Sequence, residues 1–205
     1  ILRANAISTI CIDWKGGGVA VETYAVGSDL VITPIKTYAG RECAVYAYDA
    51  DVPLTVFNLT NAKLADVDLT NMTQLALVNI DNAGISDIKL PSGHNLMELK
   101  LNNNNFESID LGDHAADLML LSMNNNKLTS FDATAFKNLG MLYLAKNQLT
   151  DVKLDNSNMW DLDLSGNQLA TIDVSKLPSL NQIFLTNNQL ETIDLSKARD
   201  LRAVH

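Results

Sequence analysis

The sequence predicts a solenoid of short stacked turns, each contributing one strand to a parallel β-sheet. Three observations predict it. The first is a repeated phrase. Leu180, Ile183, Leu185, Asn188, Leu190, Ile193, Asp194 and Leu195 recur one turn earlier as Met159, Leu162, Leu164, Asn167, Leu169, Ile172, Asp173 and Val174. The pattern runs back to Leu54, Phe57, Leu59, Ala62, Leu64, Val67, Asp68 and Leu69. Successive openings, from Leu54 to Leu201, lie 21, 21, 22, 21, 20, 21 and 21 residues apart. A fixed period of this size is the signature of a repeat architecture. The second observation is the alternation within Ile183-Phe184-Leu185, in, out, in, as in a strand. The third is length: a turn this short leaves too few residues for a strand and a long helix, so the back is expected to be extended or 3₁₀-like.

Each element follows from these patterns. Counting from the opening leucine, positions one, four, six and eleven are apolar and should face inward. Seven strands stacked about 4.8 Å apart would make a sheet about 35 Å long. Position nine is Asn104, Asn126, Asn147, Asn167 and Asn188 in the last five full turns. An Asn side chain there can bond backbone groups of its own and the neighbouring turn, forming a buried ladder. Ala62 and Ala83 replace it in the first two turns, so another element must supply the bonds at that end.

The phrase L-x-x-L-x-L-x-x-N-x-L, over residues 54–205, resembles the leucine-rich-repeat family. The tail Leu190-Glu-Thr-Ile193-Asp194-Leu195-Ser196 is similar to short bacterial repeats, as in internalins and secreted repeat proteins of Bacteroides-type bacteria. The resemblance implies a leucine-rich-repeat solenoid, a right-handed horseshoe with the parallel sheet on its concave face.

Residues 1–52 do not share the repeat and read as a separate β-rich capping module, followed by the solenoid over 53–205. Strands are expected over residues 7–14, 19–26, 30–38 and 43–48, separated by glycine-containing turns. Solenoid ends expose apolar edges and need a cap, which such a module is placed to provide. Ile12-Asp13-Trp14-Lys15-Gly16-Gly17 resembles a hairpin of the Bacteroides-type proteins, without its acidic middle residue. Cys11 and Cys43 both lie in this module, and either a disulfide or two thiols fits them.

Hydrophobic residues make up 47% of the chain, enough for a real core. No apolar run approaches the ~18 residues of a membrane-spanning helix. The net charge of −9, with Lys and Arg scattered singly, disfavours nucleic acid and anionic membrane as partners. Sequence signatures of nucleophilic, zinc-dependent or phosphate-loop chemistry are absent, so neither catalytic residues nor a cofactor or metal is expected. His94 and His114 fall near the openings of adjacent turns, but exposed loop histidines are the default reading. Asp68, Asp110, Asp132, Asp173 and Asp194 share position fifteen. Calcium needs six to eight wrapped oxygens. A single file does not wrap, and local Asx turns fit it better.

In a horseshoe of this kind, positions three, five and seven line the concave face. Most are small and polar. Leu120, Met141, Tyr143 and Phe184 stand out and should be exposed, with Asp161 and Asp163 between them. Large apolar side chains on an open sheet face mark interaction sites. The resemblance implies a non-enzymatic scaffold that recognises a protein partner at a bacterial cell surface or in the secreted fraction. Two alternatives stay open: glycan binding, with Tyr143 and Phe184 stacked on sugar rings, and a structural spacer or adhesin stalk.

Overall fold

The computed structural model describes the strands Arg3–Ala4, Ser8–Lys15, Val21–Val26 and Glu42–Ala47 and residues 54–61, 64–70 and 72–205. The strand expected over residues 30–38 lies outside them. The chain is a parallel β-solenoid. Its inner sheet runs through Leu54–Asn58, Leu77–Asn79, Glu98–Lys100, Leu120–Ser122, Met141–Tyr143, Asp161–Asp163, Gln182–Phe184 and Ala203–Val204. All these neighbours pair in parallel, and equivalent positions sit in register, as in Leu121, Leu142, Leu162 and Ile183. The back carries a short parallel pair, Ser130–Asp132 with Asp151–Lys153, and one 3₁₀ turn, Gly112–Ala116.

The core follows the repeat. Leu99 and Leu101, Leu121 and Met123, Leu142 and Leu144, and Leu162 and Leu164 occupy positions four and six, and all are fully buried. Their removal from water supplies the drive for stacking, about 1.5–3 kcal/mol per large side chain. No turn can bury this face alone, so each depends on its neighbours.

The backbone of each turn is satisfied by the next. The position-six N–H donates to the position-five carbonyl one turn on, as from Met123 to Tyr143 and from Leu144 to Asp163, both at 2.8 Å. Asn147 Nδ2 donates to Met123 O at 2.9 Å and Leu144 O at 3.0 Å, and its Oδ1 accepts the Leu128 N–H at 3.0 Å. Asn126 and Asn167 repeat this pattern. Asn188 does so too, and Asn104 Oδ1 takes the N–H groups of Ala83 and Ile85. Each Asn thus serves the turn before it. Where Ala83 stands in place of Asn, its own carbonyl accepts the Leu64 N–H at 3.0 Å.

Position eight carries a feature not read from the repeat. Asn61, Asn82, Asn103, Asn125, Lys146 and Asn187 all have φ between 55° and 60°, and Gly166 has 68°. This left-handed geometry turns the chain away from the inner sheet. Gly and Asn enter it at low cost, whereas other residues meet a penalty of about 1–2 kcal/mol. Lys146 alone is mismatched. Lys146→Asn is therefore expected to raise stability by about 0.5–1 kcal/mol. The denaturant midpoint should rise with the slope unchanged; a lower midpoint would contradict the assignment of strain.

The N-terminal strands join the first turn directly. Arg3–Ala4 pairs antiparallel with Leu54–Asn58. Ser8–Lys15 pairs antiparallel with Val21–Val26 and with Glu42–Ala47, which in turn pairs parallel with Leu64–Asp68 on the back of the first turn. Cys11 pairs with Tyr46 and Trp14 with Cys43, so the two cysteines stand three residues out of register. That is about 10 Å along the strands, beyond the ~7 Å between Cα atoms that a disulfide spans.

Candidate functional site

The inner sheet brings the six patch residues together on four neighbouring strands. Leu120, Met141 and Asp161 are register partners at position three, followed by Gln182. Tyr143, Asp163 and Phe184 are partners at position five. Their expected exposure needs correcting. Leu120 is 8% exposed and Asp161 7%, whereas Met141, Tyr143, Asp163 and Phe184 are half-buried. Alternation fixes the face on which a side chain lies. It does not say how far neighbours one strand-spacing away cover it. Leu120 is flanked in register by Glu98 and Met141.

Polar groups on this face form a directed network. The Tyr143 hydroxyl donates to Asp161 Oδ2 at 2.8 Å, and Gln182 Nε2 reaches the same oxygen at 3.4 Å. Asp161 Oδ1 is buried and has no partner. Asp163 Oδ1 accepts the backbone N–H of Ser165 at 2.9 Å and its hydroxyl at 2.7 Å. Burial, reinforced by the bond to Asp161 and the charge of Asp163, raises the Tyr143 pKa far above its ordinary value. The phenol therefore remains a hydrogen-bond donor at any physiological pH. Phe184 stacks on His205, with ring centroids 4.6 Å apart and planes within 9°.

Position seven builds a second ladder. Asp81, Asn102 and Asn124 each accept, through Oδ1, the position-seven N–H of the next turn at 2.7–2.8 Å. These side chains serve the stack itself. The ladder ends at Ala145, in the same turn as Met141 and Tyr143.

Position two holds residues the repeat phrase passes over. Met97, Met119 and Trp160 are 47%, 53% and 42% exposed. They border the inner sheet, immediately before its strands. The signal was present as a column, Ala76, Met97, Met119, Gly140 and Trp160. It is invisible to an alternation that starts at position three.

The remaining candidates resolve locally. His94 Nδ1 lies 2.8 Å from Asp117 Oδ2, while His114 is buried with Nε2 against the Pro91 carbonyl. At position fifteen, Asp68, Asp110, Asp132, Asp173 and Asp194 each accept the N–H two residues on. Lys89 pairs with Asp68 and Lys153 with Asp132.

These Asx turns carry a pH consequence. The hydroxyls of Thr70, Thr134 and Ser175, then the local N–H groups, hold Asp68, Asp132 and Asp173 below the ordinary 3.8. The Ser196 N–H does so first for Asp194. A carboxyl lowered in the folded state stabilises above its unfolded pKa and loses that contribution as pH falls through the folded value. Stability should therefore drop below about pH 4, and Asp132→Asn should flatten that drop in a melting series. An equal acid drop in this variant would remove Asp132 from the account.

No protein-family model matches the sequence, and no curated protein matches it. Among solved structures, the functional domain of InlJ from Listeria monocytogenes, described as including a cysteine ladder, aligns at 25% identity with a TM-score of 0.53. The alignment covers 74% of this chain and 29% of that one. An internalin, InlF, from Listeria monocytogenes strain 4b F2365 aligns at 20% identity and a TM-score of 0.47, over 73% of this chain and 60% of that one. The chain thus spans less than a third of the InlJ structure it resembles. Its repeats carry no cysteine: Cys11 and Cys43 both precede them, and Asn forms the ladder here. Among the described residues no helix is long and apolar enough to cross a membrane. The repeat phrase and the parallel solenoid it builds are those of a leucine-rich-repeat fold similar to that of the InlJ domain.

Proposed function

We propose that the chain is a non-enzymatic scaffold that recognises a protein partner through the concave face of its repeat sheet. One observation carries the reading. The register gathers Leu120, Met141, Tyr143, Asp161, Asp163 and Phe184 into one patch on four strands. The position-seven ladder stops at Ala145, in the second of the four turns that carry this patch. A half-buried aromatic and apolar cluster beside fixed carboxylates is the composition of an interface anchor. In the same reading the N-terminal strands cap the first turn, and the protein works at a bacterial cell surface or in the secreted fraction.

The geometry favours protein over glycan. Sugar stacking needs open aromatic faces with free polar edges. One face of Phe184 lies against His205, and the Tyr143 hydroxyl is spent on Asp161. The test is parallel screening on arrays of extracellular proteins and of glycans. A protein hit whose affinity falls about tenfold or more with Tyr143→Ala or Phe184→Ala is the expected result. Binding confined to the glycan array would replace this reading with the carbohydrate one. A protein hit insensitive to both substitutions would move the interface elsewhere.

A further inference from the structure

The flank of the inner sheet carries a second surface. At position two the backbone stacks turn on turn. The N–H of Met119 donates to Met97 O at 2.8 Å, Gly140 to Met119 O at 3.0 Å and Trp160 to Gly140 O at 2.9 Å. These four residues are therefore consecutive rungs of one column. Three of them carry large apolar side chains that are about half exposed. Methionine is adaptable and tryptophan broad and flat, and both are enriched at protein interfaces.

Gly140 makes the column a platform. Its φ is not left-handed, so the backbone does not require glycine there. A Cβ at this position would lie 2.8 Å from Trp160 Nε1 and 3.1 Å from Cδ1. The indole thus lies across the turn before its own and fills the space a side chain would take. An exposed tryptophan held against backbone is already ordered, which lowers the entropy lost on docking.

The residue after Trp160 in the chain carries a charge that no cation among the described residues balances. Asp161, next in the chain to Trp160, is buried and receives hydrogen bonds only from the neutral Tyr143 and Gln182, with Oδ1 unpartnered. Among the described residues neither Asp161 nor Asp163 forms an ion pair. A buried carboxylate without a cation is costly, and a cation brought near it is attracted through a poorly screening medium. The chain as a whole carries a net charge of −9, which attracts basic partners at long range.

We infer that the flank formed by Met97, Met119 and Trp160 docks a polypeptide segment of basic and apolar character. Its apolar side chains rest on the Met–Trp platform, and a lysine or arginine faces the Asp161–Asp163 pair. An arginine there also meets the indole face. The inference deepens the reading above: it rests on a protein partner and adds the partner's chemistry and a surface beside the concave patch.

The experiment is selection of displayed random linear peptides on the full chain, followed by affinity measurements on substituted chains. Selected peptides are expected to carry Lys or Arg beside aromatic or aliphatic residues. Their affinity should fall about tenfold or more with Trp160→Ser or Met119→Lys, both at exposed positions. It should also fall with Asp161→Asn and with added salt. Gly140→Ala, which displaces the indole, should weaken binding with little change in melting temperature. Thr171→Ala, exposed on the back of the same turn as Trp160, should leave it unchanged. Selected peptides lacking basic residues, or no enrichment at all, would overturn the inference. Binding abolished by Phe184→Ala and untouched by Trp160→Ser and Met119→Lys would overturn it too, while supporting the concave-face reading.

Discussion

Asn147→Ala is expected to lower the melting temperature by about 5–10 °C, more than any surface substitution in the chain. The side chain is 7% exposed and closes three strong bonds: Nδ2 to Met123 O and to Leu144 O, and Oδ1 from the Leu128 N–H. Alanine leaves these groups buried and unpaired, at about 1–3 kcal/mol for each that water cannot reach. Some relaxation lets water into the turn, so the net loss is about 2–4 kcal/mol. In a domain of this size each kcal/mol moves the melting temperature by about 2–4 °C. Asn147→Asp separates the two halves of the side chain's role. It keeps the acceptor for Leu128 and turns the donor into a carboxylate facing two carbonyls. Its pKa should rise in the folded state, so this variant should regain stability as the solution is acidified. The same alanine change at Asn188 should cost less, because Asn188 is only half-buried. Equal melting temperatures for wild type and Asn147→Ala would show that the ladder is ornamental.

Position nine also shows where sequence reading succeeds and where it stops. Asn147 was legible because its period coincides with that of the apolar residues, and only an amide offers both an acceptor and a donor at one turn. The exchange at Ala83 was half legible. The missing Asn was evident, but the substitute for its bond is a backbone carbonyl, which every residue has and no sequence displays. The left-handed residues at position eight were written as Asn in five turns and Gly in one, a plain signal of positive φ, with Lys146 as the exception. The burial of Leu120 was not legible. Its two-residue alternation is that of a residue on the open face, and its coverage depends on Glu98 and Met141, each about one turn away in sequence. The platform under Trp160 was hidden for a related reason. A glycine at position two looks like a gap in an apolar column until the indole of the next turn is seen lying across it. Pairings of Arg3–Ala4 with Leu54–Asn58 and of Glu42–Ala47 with Leu64–Asp68 are non-local and have no counterpart in any repeat.

Leu164→Ala and Leu185→Ala should differ about twofold in cost, although both change the same residue at position six. Leu164 is fully buried, with a complete turn on either side. Emptying that site removes the transfer energy of the side chain and leaves a cavity that two flanking turns hold open, about 3–5 kcal/mol. Leu185 is only half-buried, and the turn after it contributes the strand Ala203–Val204. Part of its surface is already in water, and a cavity at a half-buried site can collapse, so about 1–2 kcal/mol is expected. The difference follows from the one-dimensional character of a solenoid, in which stability is a sum of turns and the interfaces between neighbours. A fully buried position engages both neighbouring turns completely, and a half-buried one engages them in part. Denaturant melts of the two variants give the ratio directly. Equal losses would mean that the partial burial of Leu185, Leu190 and Leu195 carries no energetic weight.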